Sequence, residues 1–551
     1  MSKNLSELSG RKGLEENLFE ELGIAAKRSG TVSKAKMESL SEEFLVGKAN
    51  IYGTTSFYDF LKEENKGKQV YVCTGSSCMT AGTQDNLKAK LAGHFKAEEI
   101  GDMCCMGRCH ENSSFNYKGK NYSGTDINDF DLIKQGALKT KEKYNVDYFG
   151  TQILTSMFNG VDYYYAGLSV ALNRSVDDLL GELKESNLRG RGGAGFPISY
   201  KLDACRNEKS ATKYVVCNAD EGDPGAYSDR YLLEVQPLAV LVGMIVSGYI
   251  TGAKMGVLYI RAEYPEAIEI TQKSIDTLRS KKMIGQNILG SGFDFDFKII
   301  KAQGAYICGE ETALLSSIEG QRPEVRVRPP YPTQEGLFNK PTVVNNVETL
   351  ACIPYIILNG GAKFASIGRG KSTGTKLVCL DGFFNKPGVY EVDMGTPLAH
   401  VVKKLGGGFK SKVKALHIGG PLGGLVPVSK IKNLTVDFES FNDNGFLLGH
   451  ASIVSIPEDY PIVKYIEHLF EFTAHESCGK CFPCRLGSTR GAEMLNKAIN
   501  SDYKIDRALF DDLLETLEIG SLCALGGGLP LPVKNALEHF NKELKQYFSK
   551  A

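Results

Sequence analysis

The chain has no tryptophan, no excess of charge of either sign and no long apolar segment. Its 65 lysine and arginine residues balance its 65 aspartate and glutamate residues, which argues against a nucleic-acid-binding surface or a basic membrane-binding face. The charged N-terminal segment has no apolar signal core, so we expect no export signal. The longest uncharged run, residues 235–253, contains a proline, a serine and three glycines. We interpret it as a buried core helix rather than a membrane span, and we expect no direct membrane insertion.

The length and the cysteine content limit the possible organisation. A chain of 551 residues is too long for one hydrophobic core, so three or four domains are expected. Most of the 14 cysteines fall into two four-cysteine patterns at ligand spacing, rather than being scattered as disulfide partners. Since no export signal is expected either, the sequence predicts a reducing compartment, the cytoplasm.

Three cysteines, Cys478, Cys481 and Cys484, are separated by two residues each, and Cys523 follows them downstream. Three closely spaced thiolates and a distant fourth are typical of a site for a four-iron cluster. A four-cysteine zinc site usually consists of two C-x2-C pairs, so zinc is the less favoured alternative. The pattern therefore indicates electron transfer.

A second set has the spacing Cys73-x4-Cys78 and Cys105-x3-Cys109. Two pairs on separate loops are able to hold a two-iron cluster between them. A structural zinc knuckle is the alternative, although these gaps are loose for zinc. Cys104 adjoins Cys105, so the choice between these two thiols depends on the x3 gap.

A glycine loop follows in the middle of the chain. Gly190, Gly192 and Gly195 satisfy the pattern G-x-G-x-x-G, but the preceding segment 176–188 reads as a helix. The ordinary dinucleotide fingerprint requires a preceding strand, so that interpretation fails. The glycines still allow a phosphate or a flavin ring to approach the backbone, and Pro197 suits the first turn of a helix that would hold an anion. A plain flexible loop is the alternative.

Polar residues follow three further apolar segments. The predicted strand 213–217 leads into Asn218, Asp220 and Glu221, at the strand end where α/β sheets bind ligands. A short apolar strand is expected to end near Tyr306 and to open a helix at residue 312. Asn345 and Asn346 are amides able to pair with the edge of a heterocycle. The acidic group alone would also suit a metal site or a solvated turn.

Five motifs in one order identify a family. They are GRGGAGFP (190–197), CNADEGDPG (217–225), AYICGEETAL (305–314), KPTVVNNVETL (340–350) and ESCGKCFPCR (476–485). Together they closely resemble the NADH-binding flavoprotein subunit of respiratory complex I, from about residue 179 onward. Residues 14–132, with IYGTTSFY at 51–58, resemble the two-iron partner subunit of the same complex. The fusion of both is most similar to the diaphorase subunit of soluble NAD-reducing hydrogenases or NAD-dependent formate dehydrogenases.

The resemblance implies a multidomain α/β fold. The expected parts are an N-terminal helical segment (1–66), a thioredoxin-like two-iron domain (67–135), a linker (136–178), a Rossmann-like FMN- and NADH-binding domain (179–370), a β-grasp domain (371–450) and a C-terminal helical bundle with the four-iron cluster (451–551).

The resemblance also implies the site residues, with Lys201 and Glu311 as the catalytic pair. The implied two-iron ligands are Cys73, Cys78, Cys105 and Cys109, and the four-iron ligands are Cys478, Cys481, Cys484 and Cys523. FMN and NAD(H) would be held by Gly190, Arg191, Gly192, Gly193, Phe196, Lys201, Asn218, Asp220, Glu221, Tyr306, Gly309, Glu310, Glu311, Asn345 and Asn346.

Some positions depart from the family pattern. Leu202 stands where the family often has tryptophan, so we expect adenine stacking either to be weaker or to rely on Phe196 and Phe338. Asp223 stands where complex I often has glutamate, and His110 replaces the alanine that commonly follows the last two-iron ligand. The preference for NAD or NADP stays open.

The implied activity is hydride exchange between NADH and FMN, followed by one-electron transfer through the clusters. Such a chain needs partners, and we expect an iron–sulfur relay subunit and a catalytic hydrogenase or formate dehydrogenase subunit. A flavoprotein of an electron-bifurcating complex or of a complex I-like NADH dehydrogenase is the alternative; no cysteine follows Cys523, whereas bifurcating flavoproteins usually end in a ferredoxin-like domain. A redox sensor or a zinc-bearing nucleotide-binding module fits the intact motifs less well.

Overall fold

The computed structural model describes residues 3–138, 142–156 and 160–549. Within these ranges the strands form four sheets, with hydrogen-bonded orders β2-β1-β3-β4, β8-β7-β6-β9, β10-β11 and β15-β14-β16-β12-β13-β5. The strands are β1 (Val70–Cys73), β2 (Ile100–Met103), β3 (Ser114–Tyr117), β4 (Lys120–Ser123), β5 (Asn145–Phe149), β6 (Tyr214–Ala219), β7 (Met255–Ile260), β8 (Asp296–Lys301), β9 (Thr342–Asn346), β10 (Gly368–Arg369), β11 (Ser372–Thr373), β12 (Thr375–Leu380), β13 (Gly388–Asp393), β14 (Val413–Ile418), β15 (Gly424–Pro427) and β16 (Ser452–Pro457).

Helices cover the faces of these sheets and lie near both ends of the part of the chain that the structure describes. The α-helices are α1 (Lys3–Ser9), α2 (Leu18–Ser29), α3 (Lys34–Phe44), α4 (Lys48–Thr55), α5 (Ser76–Thr80), α6 (Gln84–Leu91), α7 (Phe130–Lys134), α8 (Gly160–Leu172), α9 (Val176–Glu185), α10 (Ile198–Asn207), α11 (Ser228–Val235), α12 (Pro237–Thr251), α13 (Pro265–Ser280), α14 (Glu311–Ile318), α15 (Pro332–Glu335), α16 (Val347–Asn359), α17 (Gly361–Ala365), α18 (Leu398–His400), α19 (Phe438–Asp443), α20 (Ile462–Glu476), α21 (Ser488–Asn500), α22 (Arg507–Gly520), α23 (Ala524–Gly528), α24 (Pro530–His539) and α25 (Asn541–Leu544).

The N-terminal helices pack on the central sheet rather than on the sheet that follows them in the chain. Asn17 caps α2 by accepting from the amides of Phe19 and Glu20. Phe19 is fully buried and its ring stacks on Tyr259 of β7, with ring centroids 6.4 Å apart. Tyr58 donates its hydroxyl to the carbonyl of Gln321 at 2.9 Å. These contacts join the N-terminal segment to the domain that carries the glycine loop.

The first sheet is mixed and holds one cysteine pattern. Strand β1 pairs in parallel with β2 and antiparallel with β3, and β3 and β4 form a hairpin. Helix α6 (Gln84–Leu91) and the hairpin complete this small α/β domain. Cys73 ends β1, and Cys105 and Cys109 follow β2, so the two cysteine pairs meet at one edge of the sheet.

The central sheet consists of four parallel strands. β6 pairs with β7 on one side and β9 on the other, and β7 pairs with β8. Its strands are rich in buried β-branched residues such as Val215, Val216 and Val343, as expected of a sheet covered on both faces. Because parallel strands point the same way, the ends of β6 and β9 bring Asn218 and Asn345 to one edge.

Helix α12 is the uncharged run predicted as a core helix, and that prediction is confirmed. Nearly all of its residues are buried; it starts with Pro237 in the first turn and ends at Gly252, where φ is 76°. In the described part of the chain, no single helix is long and apolar enough to cross a membrane, although α11 and α12, bent by 93°, pass that test as a pair.

The six-stranded sheet extends beyond the expected limits of the β-grasp domain. Strand β16 lies past residue 450, yet it occupies the middle of the sheet between β12 and β14. Strand β5 comes from the segment expected to be a linker and pairs in parallel with β13. All five residues of β5 are exposed, so the strand buries no apolar face. We therefore propose that this domain includes 145–149 and ends at residue 457.

The C-terminal part is helical around the cysteine triplet, as predicted. Helix α20 packs against α21, and a π-helical turn at Pro483–Gly487 carries Cys484. One local prediction was wrong: Tyr306–Gly309 forms a 3-10 turn, not the end of a strand. Gly304, whose φ is 76°, lies between the end of β8 at Lys301 and this turn.

Candidate functional site

The glycine loop connects α9 to α10, so a helix precedes it, as predicted. The amide of Gly190 donates to the carbonyl of Phe196 at 2.9 Å and closes the loop. Gly193 and Gly195 have φ angles of 121° and 61°, in the region that favours glycine. A Cβ on Gly190 would meet only the backbone of Phe196, at 3.6 and 3.8 Å, so the space beside this glycine is open.

The ends of β6 and β9 contribute polar groups beside this loop. Asn218 donates its side-chain amide to the carbonyl of Gly309 at 2.8 Å and so connects the strand end to the 3-10 turn. The carboxyl of Asp220 and the amide of Asn345 are buried, and neither Asp220 Oδ2 nor Asn345 Nδ2 has a partner among the residues that the structure describes. Burial raises the pKa of Asp220 well above its ordinary value.

These features fit FMN. Buried polar atoms are nearly always hydrogen-bonded, so two orphaned atoms at one sheet edge point to a missing ligand. A Cβ atom placed on Gly309 would come no closer than 3.4 Å to other protein atoms, so the space beside this glycine is open. A Cβ atom placed on Gly192 would lie 3.0 Å from Asn346, so this glycine allows the loop to pack closely against the end of β9. The site thus offers a glycine-lined space with an unpaired donor and an unpaired acceptor, as a flavin requires.

Four of the expected cofactor residues use their side chains inside the protein. Arg191 is buried and donates to the carbonyl of Thr373 at 2.6 Å. Glu221 caps α11 and Glu310 caps α14, each accepting from backbone amides. Asn346 caps α16 and donates to Asp229. Their carboxyl, amide and guanidinium groups position helices and loops around the site, so we propose a supporting role for them. The buried Nε of Arg191 has no partner among the described residues.

Lys201 and Glu311, the expected catalytic pair, are brought together. Lys201 Nζ lies 3.4 Å from a carboxylate oxygen of Glu311 and donates to the carbonyl of Val344 at 2.6 Å. The other carboxylate oxygen of Glu311 accepts from Arg328 at 2.8 Å. The sequence interpretation missed Arg328, although the run RVRPP at 326–330 places two arginines close to a helix start. Lysine, carboxylate and guanidinium thus form one half-buried polar group.

Two exposed aromatic rings stand beside the glycine loop. Phe196 is 54% exposed and Tyr200 is 64% exposed, and their ring centroids are 6.4 Å apart. Tyr200 was missed because its position on α10 has no motif of its own. Phe338, the other ring expected to stack on adenine, is only 5% exposed and packs edge-on against Tyr214. That expectation was wrong, because Phe338 belongs to the hydrophobic core.

Tyr306, also expected at the cofactor, donates its hydroxyl to Asp223 at 2.5 Å. The other oxygen of Asp223 lies 2.6 Å from Nε2 of His450, which follows a loop of the six-stranded sheet. Burial opposes ionisation of His450, but the charge of Asp223 raises its pKa to about 9. Burial likewise opposes ionisation of Asp223, but the charge of His450 and hydrogen bonds from His450 and Tyr306 outweigh it and lower the pKa of Asp223. These three residues join three parts of the chain.

The thiols of the first cysteine set converge in the buried space between the first sheet and the central sheet. Cys105 Sγ and Cys109 Sγ lie 3.3 Å apart. Hydrogen bonds from the thiols of Cys105 and Cys78 hold the pKa of Cys73 well below its ordinary value, so those three sulfurs are also neighbours. Cys104 is half-buried, whereas Cys105 is buried with its Sγ 3.3 Å from Cys109 Sγ, which supports Cys105 as the ligand that the x3 gap predicted.

The second set is closer to the surface. Cys478 and Cys484 are buried, whereas Cys481 and Cys523 are half-buried. Cys523 immediately precedes α23, and a Cβ on Gly526 of this helix would lie 2.7 Å from Cys484 Cβ, so the distant cysteine is carried back to the triplet. Burial raises the pKa of Cys523 to about 12, and the neighbouring charges that affect it include Cys478 and Cys484. No group of three or more possible ligands in the described ranges has the arrangement for a single metal ion.

Three family models match the chain in the order that the sequence motifs predict. Residues 6–133 match a thioredoxin-like [2Fe-2S] ferredoxin, 183–355 the Nuo51 FMN-binding domain, and 464–547 the NADH-ubiquinone oxidoreductase-F iron–sulfur binding region. The fold and sites therefore define a flavin- and iron–sulfur-dependent oxidoreductase subunit.

Two curated relatives are similar over most of the chain. The NADP-reducing hydrogenase subunit HndC of Solidesulfovibrio fructosivorans is 42% identical over 386 residues, 70% of this chain and 78% of that protein. The NADH-quinone oxidoreductase F 2 subunit of Rhizobium meliloti (strain 1021) is 42% identical over 383 residues, 69% of this chain and 91% of that protein. The chain belongs to the family of FMN-binding subunits that includes the F subunits of NADH-quinone oxidoreductase.

A solved structure matches nearly the whole chain, including the N-terminal part. The crystal structure of an NAD+-reducing [NiFe]-hydrogenase in the air-oxidised state matches with a TM-score of 0.85 and 27% identity, over 96% of this chain and 93% of the matched chain. A crystal structure of an NAD+-reducing [NiFe]-hydrogenase in the H2-reduced state matches with a TM-score of 0.84. The predicted multidomain fold, its cofactors FMN, [4Fe-4S] and [2Fe-2S], and the NAD(H)-linked oxidoreductase class are confirmed.

Proposed function

We propose that this chain is the diaphorase subunit that connects NAD(H) to a partner hydrogenase or formate dehydrogenase in the cytoplasm. The match to a chain of an NAD+-reducing hydrogenase over 96% of the sequence carries the proposal, because it covers the fused two-iron part as well as the flavin part. All 14 cysteines are free of disulfides, which supports a reducing compartment.

Residues on one side of the glycine loop bind the nicotinamide nucleotide in this proposal. Phe196 and Tyr200 offer two exposed rings for the adenine base. Lys201, Glu311 and Arg328 form a chain of charged hydrogen-bonding groups on the same side, which suits the hydroxyls and phosphates of the nucleotide. Lys201 is held in place because its ammonium also donates to the carbonyl of Val344.

Residues on the other side hold the flavin. FMN, when bound, supplies the conversion between hydride transfer and one-electron transfer. Asn345 provides a free donor and Asp220 a free oxygen to the ring or to the ribityl chain, and Gly190 and Gly309 leave room for them to be approached. Arg191, Glu221, Glu310 and Asn346 keep the surrounding helices and loops in position. Donor and acceptor are thereby held at one sheet edge, which is the main contribution of the protein.

The four-iron site marks the surface at which a partner docks. Cys481 and Cys523 are half-buried, and apolar side chains next to them in sequence are exposed: Phe482 by 67%, Ile519 by 75% and Leu522 by 40%. A Cβ on Gly520 would lie 2.8 Å from Pro483, so the two exposed segments adjoin each other. Exposed apolar groups of this size around a redox centre suit an iron–sulfur relay subunit, which would cover them.

A second candidate is the flavoprotein subunit of a quinone-reducing NADH dehydrogenase. The relative from Rhizobium meliloti, named for that activity, is as similar as the hydrogenase subunit, at 42% identity. The two candidates share the flavin and nucleotide sites and differ in the partner that receives the electrons.

Anaerobic isolation of the native complex, with iron, FMN and subunit analysis, tests the proposal. We expect about six irons and one FMN per chain in its own sites, together with a relay subunit and a hydrogenase or formate dehydrogenase large subunit. Co-isolation with quinone-reductase membrane subunits would favour the second candidate. Zinc in place of iron, or absence of FMN, would contradict both.

A further inference from the structure

Arg261 is a buried arginine that connects the flavin side to the two-iron side. It follows β7 directly, beside the end of β6, and it is 3% exposed. One terminal nitrogen donates to the carbonyl of Glu221 at 2.7 Å and to the carbonyl of Cys105 at 2.8 Å. The other donates to the carbonyl of Cys104 at 3.0 Å and to the carboxylate of Glu263 at 2.9 Å.

The two backbone segments that Arg261 joins carry the groups of both redox sites. One is the loop 220–225, which begins with Asp220; Oδ1 of its carboxyl lies 3.9 Å from Arg261 Nε, and Oδ2 has no partner among the described residues. The other holds Cys105, an expected two-iron ligand. They also touch directly, because the amide of Gly225 donates to Cys109 Sγ at 3.1 Å. The hydrogen-bonded surroundings of the two-iron thiols are therefore completed by the flavin domain.

General attachment of the two domains does not depend on Arg261. Glu142 pairs with Arg230 and lies 3.6 Å from Arg108, and Asn121 donates to the carbonyl of Glu263 at 2.7 Å. Among these interdomain contacts, Arg261 is the residue that binds the ligand-bearing peptide and the flavin loop at once. The planar guanidinium is needed for this, because it directs several donors in fixed directions, which a lysine ammonium does not.

We propose that Arg261 is a positioning residue for electron exchange between the flavin and the two-iron cluster: it holds the Cys104–Cys105 peptide against the flavin loop and keeps a fixed positive charge beside the cluster. The proposal rests on the assignment of FMN and the two-iron cluster under the proposed function. It goes beyond that assignment by naming the group that sets their relative position and contributes to the cluster's reduction potential.

Three variants of the full-length protein separate geometry from charge. Arg261→Lys keeps the positive charge but removes the planar guanidinium, whereas Arg261→Gln removes both. Because Arg261→Gln leaves the buried carboxylate of Glu263 unpaired and threatens folding, Arg261→Gln with Glu263→Gln serves as the third variant. Arg279→Lys and Arg279→Gln are matched controls, since Arg279 is exposed and pairs with Asp276 and Asp296 at the far end of α13.

The readouts are the midpoint potential and EPR line shape of the two-iron cluster, its rate of reduction after mixing with NADH, and the FMN and iron contents. In all three variants we expect the reduction rate to fall several-fold, because the rate of electron transfer decreases steeply as the distance between the two redox centres grows. In Arg261→Gln we also expect the ratio of reduced to oxidised cluster at a fixed potential to fall about tenfold, or ~59 mV. Arg261→Lys should restore the potential but not the rate.

Wild-type potential, line shape and reduction rate in Arg261→Lys and Arg261→Gln would overturn the proposal. A second outcome would also overturn the proposal: if Arg261→Lys and the double variant both lose FMN and both clusters to the same extent, Arg261 is needed only for folding. A wild-type protein without FMN or without a two-iron EPR signal would instead contradict the proposed function itself.

Discussion

Two neighbouring asparagines at the end of β9 should respond to substitution in opposite ways. Asn345 is 5% exposed and its Nδ2 has no partner in the described ranges, whereas Asn346 caps α16 and donates to Asp229 at 2.6 Å. If the Asn345 amide donates to FMN, then Asn345→Leu should weaken flavin binding without lowering the free energy of unfolding of the protein. Asn346→Leu should lower the free energy of unfolding whether or not FMN is bound.

The magnitudes follow from the contacts. An unpaired buried donor costs about 1–3 kcal/mol, so Asn345→Leu should leave the free energy of unfolding of the FMN-free protein unchanged or raise it by up to about 2 kcal/mol. The same change leaves a flavin acceptor without a partner, so the Kd for FMN should rise about 5- to 150-fold. Asn346→Leu removes a helix cap, worth about 0.5–2 kcal/mol, and a partner of a buried carboxyl, worth about 1–3 kcal/mol.

Both quantities are measurable on FMN-depleted protein. Quenching of flavin fluorescence during titration gives the Kd, and urea unfolding with and without FMN gives the stability. The reasoning about Asn345 would be refuted by a wild-type Kd in Asn345→Leu, or by destabilisation of the FMN-free protein as large as that in Asn346→Leu. Retained wild-type stability in Asn346→Leu would refute its assignment as a supporting residue.

Three further predictions concern the nucleotide, the four-iron site and pH. Phe196→Ala should raise the KM for NADH about 5- to 150-fold at unchanged FMN content, because stacking on a base contributes about 1–3 kcal/mol. Phe338 is buried, so Phe338→Ala should lower the unfolding temperature instead. Steady-state kinetics measure the first effect and calorimetry measures the second. Cys523→Ala should lose about four of about six irons and retain FMN, and an iron assay that still finds six would exclude Cys523 as a ligand. Burial lowers the pKa of His450, but the charge of Asp223 outweighs it and raises this pKa from 6.5 to about 9. The ion pair of His450 with Asp223 therefore stabilises the folded protein fully below pH 6.5, and this contribution is lost as the pH rises through about 9. The unfolding temperature should therefore fall across that range in the wild type more steeply than in His450→Gln, and equal slopes would contradict the pairing.

Local patterns in the sequence were sufficient for the parts of the site that depend on neighbouring residues. The spacing of the cysteines predicted both clusters, and the family models match in those regions. The glycine loop was expected to follow a helix, and it lies between α9 and α10. Strand ends rich in amides and carboxylates were expected at the ligand edge, and Asn218, Asp220 and Asn345 meet there. Glycine conformations, thiol spacing and strand direction are properties of short segments, so one chain is enough to read them.

Tertiary structure alone decided which side chains remain free for a ligand. Arg191, Glu221, Glu310 and Asn346 belong to the same motifs as the free groups, yet their side chains bind helix ends and backbone carbonyls.

The same holds for elements and residues that depend on distant parts of the chain. β5 pairs with β13, which lies more than two hundred residues later in the chain. Arg261 and Arg328 become part of the site because packing brings Cys105 and Glu311 to them. Hydrogen bonds between residues far apart in sequence have no local signature, since their energy is gained only after the sheets have assembled.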